Sequence, residues 1–386
     1  MASKVWRMKL LSLKALRYRS LRDETIPLND LNLFIGTNAS GKSTILDALR
    51  FLHEGVQERD FRPPVFSRGG ILNLAWKGED ASNVQLTVEL KENDVTYEWV
   101  VGLSRRGVND FYVREEVYER HATPSRDTRL LTADNGDGWW LSREKQVPLA
   151  LAPTACALAA ATADASFAAR GVAEFVNRWG FFDPSPFWLR LSVPGLDSSR
   201  LDPLGRNLAE RLLALQRPPL EAFEQIVSAT QSVLGLPTQI ELRESRDPEY
   251  RVLLAQHEPG LRFPVHQIGA SSGTLRILAL MTALFGETGS NLIGIEEPEN
   301  HVHPTALAAF AEYLLKARGR VQILVTTHSP LLLDFLNEPG AVCIVRHMDQ
   351  QGTRVYREGN PEDVRQALEA SGFGLGEFYE TKGFGG

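Results

Sequence analysis

Residues 36–43 read Gly36-Thr37-Asn38-Ala39-Ser40-Gly41-Lys42-Ser43, which meets G-x-x-x-x-G-K-[ST] at every fixed position, and Thr44 follows. Such a loop suits one ligand chemistry. Glycines let backbone N–H groups close around a triphosphate without a side-chain clash, and the N-terminus of a following helix adds positive potential. Lys42 is placed to reach the β- and γ-phosphates, and the Ser43 hydroxyl to bind Mg²⁺. A chance glycine turn is the bland alternative. It leaves unexplained the apolar run 31–35 that enters the loop and the helical pattern 43–52 that leaves it.

A loop that holds phosphate does not by itself hydrolyse it. The acids needed stand at Glu296 and Glu297, at the end of the apolar run 291–295. Strand-end carboxylates face the edge where a parallel sheet binds ligands. Glu296 is the candidate for holding Mg²⁺ through water, and Glu297 for orienting or deprotonating the attacking water. The same pair also suits the N-terminus of a following helix with no catalytic role. The next apolar run, 321–326, ends in Thr327-His328-Ser329-Pro330. His328 would face the same edge and touch the γ-phosphate, against the commoner structural role of a lone histidine.

These residues need a frame, and the patterns supply one. Residues 5–13 read as a first strand. Val84, Leu86, Val88 and Leu90 alternate with polar residues, and strands at 97–103 and 111–118 follow after turn signals, so an antiparallel meander is expected. The region from about 120 to 240 is less regular: an alanine-rich helix at 154–169, apolar residues at 172–179, a loop broken by Pro184, Pro186, Pro194 and Pro203, and short helices at 208–215 and 220–234. The last third alternates strand and helix, with helices at 274–285 and 306–317 and a closing hairpin of 342–345 with 354–356. The expectation is an α/β fold: a P-loop NTPase core with an antiparallel β lobe and a helical insertion. Residues 1–120 would form the N-terminal lobe, 121–240 the mainly helical insertion and 241–386 the C-terminal lobe. No heptad pattern persists, so no long coiled coil is expected, and no tandem repeat is visible.

Composition narrows the partners. With 42 Lys plus Arg against 48 Asp plus Glu, the net charge is −6, which excludes a generally basic coat for nucleic acid and leaves only a local patch. Lys4, Arg7, Lys9, Lys14, Arg17, Arg19 and Arg22 all precede the first acid, Asp23. This run suits a phosphate-binding face, or equally a sheet edge shielded by charge. Two cysteines, Cys156 and Cys343, exclude a disulfide framework and a four-cysteine zinc site, and suit a reducing cytoplasm. No secretory signal is visible, and the uncharged stretch 146–163 contains Pro148 and Pro153, so no membrane association is expected.

Several segments, in order, resemble the ABC-type ATPases of the SMC/RecF branch, in the subgroup of bacterial AAA_21-like ATPases related to the ATPase half of OLD-family proteins. Tyr18-Arg19-Ser20-Leu21 resembles the family's FRSL strand, and 36–44 its Walker A loop. Gly269-Ala270-Ser271-Ser272-Gly273-Thr274-Leu275-Arg276 resembles the signature LSDGTLR. Ile295-Glu296-Glu297-Pro298-Glu299-Asn300 with His303-Pro304 resembles Walker B and the D-loop, and Thr326-Thr327-His328-Ser329-Pro330 the switch-histidine segment. The tail from Leu375 to Gly386 also looks familial. The likeness is strong over 1–80 and 260–386 and loose between. Ala270 and Ser272 replace the usual Leu and Asp, and Glu296 stands where many relatives have Asp. The family's Q-loop glutamine stays open between Gln85 and Gln146.

The resemblance implies an ATPase in which two protomers, as a homodimer or higher oligomer, sandwich two ATP molecules with Mg²⁺. Ser271 and the Gly273 amide of one would bind the γ-phosphate held by the other's Walker loop. It implies action on DNA, in repair, genome maintenance or phage defence. The alternative is a sensor ATPase that controls a separately encoded effector such as a nuclease. No nuclease domain of the OLD kind follows residue 386, so cleavage is expected from a partner. Three rival readings fit parts of the same segments. Gly269-x-Ser271-x-Gly273 also fits a hydrolase nucleophile elbow, with His328 and, since Asp334 falls after the histidine, Glu297 as the acid, but that leaves Lys42 unexplained. His301-x-His303 with Glu296, Glu297 and Glu299 could hold a transition metal. A transporter ATPase subunit fits the core, but not the Glu-Pro-Glu-Asn segment or the insertions.

Overall fold

The computed structural model describes residues 8–78, 83–107, 110–122, 125–142, 145–191, 196–235, 239–244, 252–257, 260–287, 289–357 and 360–381. Lys4 and Arg7 of the basic run, residues 5–7 of the expected first strand, Pro194 and the end of the tail lie outside these. The chain forms two units.

The first unit takes residues up to 32, 36–179 and 343–357. Its sheet runs in the order Val342–Met348, Gly352–Tyr356, Leu21–Pro27, Met8–Tyr18, Asn83–Glu92, Val95–Arg105, Phe111–Ala122, Ser125–Asp134, Asp137–Leu141, Gln146–Ala150. Neighbours are antiparallel throughout. The expected meander and closing hairpin are therefore both present. Val84, Leu86, Val88 and Leu90 are all buried, so their period of two marks the core face. Against the sheet lies helix Lys42–Glu58, longer than expected, which buries Ile45, Leu46, Leu49 and Leu52. Phe51 stacks on Phe61 at 5.4 Å and meets Tyr18 at 5.9 Å.

The antiparallel run continues past residue 120, where the sequence reads as irregular. The cause is a register shift between Val117 and Tyr118, opposite which Leu130 and Leu131 are both buried. A bulge of this kind breaks the period of two that announces a strand. Pro148 sits in Gln146–Ala150, the last strand of the order, the edge position where proline costs no ladder bond. The alanine-rich stretch 154–169 contains only the short helix Ala157–Ala161, and residues 172–179 belong mostly to helix Arg170–Asn177. Among the described residues no helix is long and apolar enough to cross a membrane.

The second unit takes 33–35, 180–342 and the chain from 358. Strands Trp179–Phe182, Leu292–Glu296, Gln322–Thr327 and the end of Leu31–Ile35 are neighbours in that order. Leu292–Glu296 and Gln322–Thr327 are parallel, with Glu296 opposite Thr326, and helix Pro304–Arg318 connects them. Both strands are buried nearly end to end, which is why they read as continuous apolar runs. Helices Leu208–Leu215 and Glu221–Leu234 stand where expected. Helix Ser272–Met281 passes into a π turn, Thr282–Gly286. A small antiparallel sheet holds Gln239–Glu244, Val252–His257 and Val265–His266. No long coiled coil occurs among the described residues.

One inward position of the first sheet carries a charge-bearing group. Glu115 shares a face with buried Val113 and Val117, and accepts hydrogen bonds from Trp99 Nε1 at 3.0 Å, from Leu158 N at 3.2 Å and from Ala157 N. Burial pushes its carboxyl up to about 7, and the three donors only partly oppose that. The folded chain thus holds this proton more tightly than the unfolded chain does. The stabilisation is complete below the ordinary carboxylate value and is lost as pH rises through 7, on the order of 3 kcal/mol in all. The melting temperature should fall between pH 5 and pH 8, and Glu115→Gln should flatten that slope in a calorimetric pH series.

Candidate nucleotide site

The P-loop is a strained turn held from behind. Ala39 has φ 63° and Gly41 φ 105°, left-handed positions of the kind a phosphate-binding loop uses. A Cβ on Gly41 would stand 2.0 Å from Thr353 Oγ1, so both its backbone angle and its neighbour demand glycine. Thr353, buried in the closing hairpin, lies 2.8 Å from the Ser40 carbonyl and 2.8 Å from Ser20 Oγ. Ser20 in turn lies 3.2 Å from Thr44 Oγ1. Lys42 is 5% exposed, and its Nζ donates to the carbonyls of Gly36 at 2.8 Å and Thr37 at 2.9 Å. The buried Ser40 Oγ has no hydrogen-bond partner among the described residues, and Ser43 is exposed at the first turn of the helix. A left-handed loop at the start of a helix, an orphaned hydroxyl, a lysine and an exposed serine together fit a magnesium-bound triphosphate.

Behind the loop, Asp47 gathers the charges of this unit. Tyr18 OH donates to it at 2.6 Å, Arg68 Nε stands at 2.9 Å and Arg19 Nη1 at 3.2 Å. Burial alone would raise its carboxyl, but Arg68, Tyr18, Arg19 and Arg50 outweigh it and hold Asp47 below its ordinary value. The FRSL-like segment thus anchors the P-loop helix through Tyr18 and Arg19. A groove of about 940 Å³ opens beside it, lined by Arg19, Ser20, Arg22, Trp76, Lys77 and His347.

In the second unit the strand ends bring the acids and the histidine together. Glu297 has φ 42°, a left-handed conformation that is costly for a residue with a side chain. Its amide donates to Thr326 O at 2.9 Å, and Asn300 Nδ2 donates to its Oε2 at 2.8 Å. His328 Nδ1 lies 3.7 Å from Glu297 Oε1 and 3.2 Å from Glu299 Oε1. Glu299 also accepts from Thr327 Oγ1 at 2.7 Å and His328 N at 2.8 Å, so it fixes the histidine turn. The second oxygen of Glu299 and the hydroxyl of Thr326 are buried without hydrogen-bond partners among the described residues. Glu296 is partly exposed at the end of its strand.

The signature turn opens the helix Ser272–Met281. Ser271 is its N-cap, accepting from Thr274 N at 3.1 Å. Gly273 packs on the D-loop: a Cβ there would stand 2.7 Å from His301 O, and His301 itself has φ 63°. Ser271, Gly273, Thr274, His301, His303 and Thr305 border a cavity of about 550 Å³. Arg190, from the loop broken by prolines, donates to Ser272 Oγ at 2.8 Å and Ala270 O at 3.2 Å.

Ser271 Oγ bonds the backbone and hydroxyl of Thr274 and no histidine, unlike a hydrolase nucleophile. His303 Nδ1 caps the next helix at Thr305 N, 3.3 Å away, and among the described residues no three His, Cys, Asp or Glu converge as metal ligands. The basic run does not form a shielded sheet edge, because Met8–Tyr18 is paired on both sides. Lys9 pairs with Asp30 and Arg19 with Asp47, while Lys14 and Arg22 are exposed. Four residues of the site left no separate mark in the sequence. Thr353 and Arg190 sit in ordinary surroundings, while Glu299 and Arg276 lie inside matched segments without a distinguishing pattern.

Fold and loops together define a P-loop fold of the SMC-head kind. Residues 31–334 match the family described as "AAA domain, putative AbiEii toxin, Type IV TA system", and the chain belongs to that family. No curated protein matches it. The solved structures it is similar to include an Smc head domain from Pyrococcus furiosus bound to the C-terminal domain of ScpA, at 12% identity and a TM-score of 0.54, covering 95% of this chain and 100% of that one. Another is an Smc head bound to the C-winged helix domain of ScpA, at 13% identity and TM-score 0.52, covering 92% and 99%. A third, with a coiled coil and joint, derives from Pyrococcus yayanosii, at 12% identity and TM-score 0.50, covering 95% and 100%. At these identities the likeness is one of fold.

The brace behind the P-loop generates a test. Thr353→Val keeps the volume but leaves the Ser40 carbonyl without its donor, a loss of about 1–3 kcal/mol. Nucleotide affinity, measured by titration with a fluorescent ATP analogue, should weaken roughly tenfold.

Proposed function

We propose that the protein binds ATP with Mg²⁺ in the cradle of residues 36–44 and hydrolyses it. The observation that carries this is the braced, left-handed loop, whose Lys42 ammonium is satisfied by two loop carbonyls that phosphate oxygens can replace. Lys42 would neutralise the β- and γ-phosphates, and the Ser43 hydroxyl and Glu296 would hold the metal. The metal supplies charge neutralisation on the phosphates when bound. Glu297 would take the proton of the attacking water with one oxygen, its other being held by Asn300, while His328 orients toward the γ-phosphate. The cationic groove with Trp76 offers room for the rest of the nucleotide.

The exposed signature turn supports a homodimer closed around ATP, in which Ser271 and the Gly273 amide of one copy meet the phosphate held by the other. We further propose that this cycle acts on DNA in the cytoplasm, with exposed Lys14 and Arg22 contributing phosphate contacts. A second reading is favoured by the family's own description, which names a toxin of a type IV toxin–antitoxin system: the ATPase would then govern a separately encoded effector. ATP-dependent DNA binding that weakens steeply with salt supports the first. An ATPase indifferent to DNA that binds a neighbour-encoded protein supports the second.

Two variants test the core of this reading. Lys42→Ala should show no measurable ATP binding by calorimetry, and normal affinity there would refute the P-loop assignment. Glu297→Gln should bind ATP without turnover and accumulate a dimer in light scattering. A monomer under saturating ATP would end the sandwich proposal.

A further inference from the structure

We propose that Arg276 is a positioning residue for hydrolysis, which pins the backbone of Glu297 to the helix that begins at the signature turn. This rests on the reading of Glu297 as the group that activates water. Arg276 is 2% exposed. Its Nη2 donates to the Glu296 carbonyl at 3.0 Å and the Glu297 carbonyl at 2.9 Å, its Nη1 donates to the Pro184 carbonyl, and Asp183 Oδ1 lies 3.4 Å away.

The geometry assigns a specific task to that fork. Glu297 is left-handed at φ 42°, and a strained residue keeps such an angle only when both flanking peptide planes are held. Thr326 O holds the preceding plane through the Glu297 amide, and Arg276 holds the following one through the Glu297 carbonyl. Without the guanidinium, the Glu297 carbonyl loses this donor and Glu297 can relax to an ordinary backbone angle. The carboxylate then swings away from the position it shares with Asn300 and His328.

The same fork joins this acid to the trans-facing turn. Arg276 lies on the helix Ser272–Met281, whose first residues are clamped by Arg190 at Ser272 and by the His301 backbone against Gly273. A helix is stiff along its axis, so a ligand seated on Ser271 and Gly273 presses on the element that sets the Glu297 carbonyl. Turnover would thus depend on occupancy of the turn without any side chain of the turn touching water or metal.

The experiment uses the full chain and compares Arg276→Met, Arg276→Lys and Glu297→Gln with the parent, reading kcat and KM for ATP, affinity for a fluorescent ATP analogue, and melting temperature. Arg276→Met should lower kcat about 100-fold, the scale of a misplaced catalytic group, while affinity stays within about threefold. Arg276→Lys keeps the charge but not the planar fork, and should recover only part of that loss. If Arg276→Met keeps parental kcat while Glu297→Gln is inactive, the proposal is overturned and the reading of Glu297 stands. Parental turnover in Glu297→Gln overturns that reading instead, whatever Arg276 does. A proportional fall of affinity and kcat in both arginine variants marks a merely structural arginine and also overturns the proposal. Should Arg276→Met fail to fold, unchanged kcat in Arg276→Lys is decisive against it.

Discussion

Left-handed backbone at Gly41 and at Glu297 is the constraint from which the rest of each unit can be understood. A turn that presents amides or a carboxylate outward cannot also satisfy its own carbonyls, so its polar groups must be matched from the other side. At Gly41 the match comes from Thr353 and Ser20. At Glu297 it comes from Arg276 and from the Thr326 carbonyl. A left-handed residue with a side chain costs about 1–3 kcal/mol, and a carbonyl left unpaired costs a similar amount. Neither turn would keep its shape if its brace were lost. Both braces arrive from segments remote in sequence.

That constraint explains where buried charge is concentrated. Asp47 is nearly inaccessible and would be costly alone, yet it is met by Tyr18 and three arginines and therefore stays ionised. It fixes helix Lys42–Glu58 against the strand that carries Tyr18, and hence the register of Lys42 in the loop. Glu115 is the opposite case. It has hydrogen-bond donors but no cation beside it, so burial wins and its carboxyl moves toward neutrality. The difference between the two carboxylates lies in their neighbours, because both are deeply buried.

Much of this was legible in the sequence, and what was not has physical causes. The P-loop letters carry their own geometry, since glycine, lysine and serine at that spacing have few other uses. The buried parallel strands announced themselves as apolar runs, and the acids and histidine at their ends followed from the direction of the chain. The strands beyond residue 120 were hidden by the bulge at Leu130, which puts two consecutive residues into the core. The alanine-rich segment looked helical because propensity favours it, but only Ala157–Ala161 is helical, and Phe167 and Ala169 are buried without it. Thr353 was invisible for a different reason. A brace is defined by where its hydroxyl lands in space, and a threonine in a hairpin strand carries no sign of a target more than three hundred residues away.

The acid loop itself poses an electrostatic problem that its neighbours resolve. Glu296, Glu297 and Glu299 lie within four residues, and like charges held near one another repel. The chain answers from two sides. Arg276 approaches from the backbone side, where burial pulls its guanidinium below its ordinary value and Asp183, Glu299 and Glu297 pull it back up. His328 approaches from the side-chain side, between Glu297 and Glu299. An arginine suits the buried position because it stays charged and its planar fork reaches two carbonyls at once, which a lysine ammonium on a flexible stem does less well. The histidine stands at the open position, where its Nδ1 faces both carboxylates. The permanent charge therefore lies on the backbone side of the acid loop, where it holds two strand-end carbonyls.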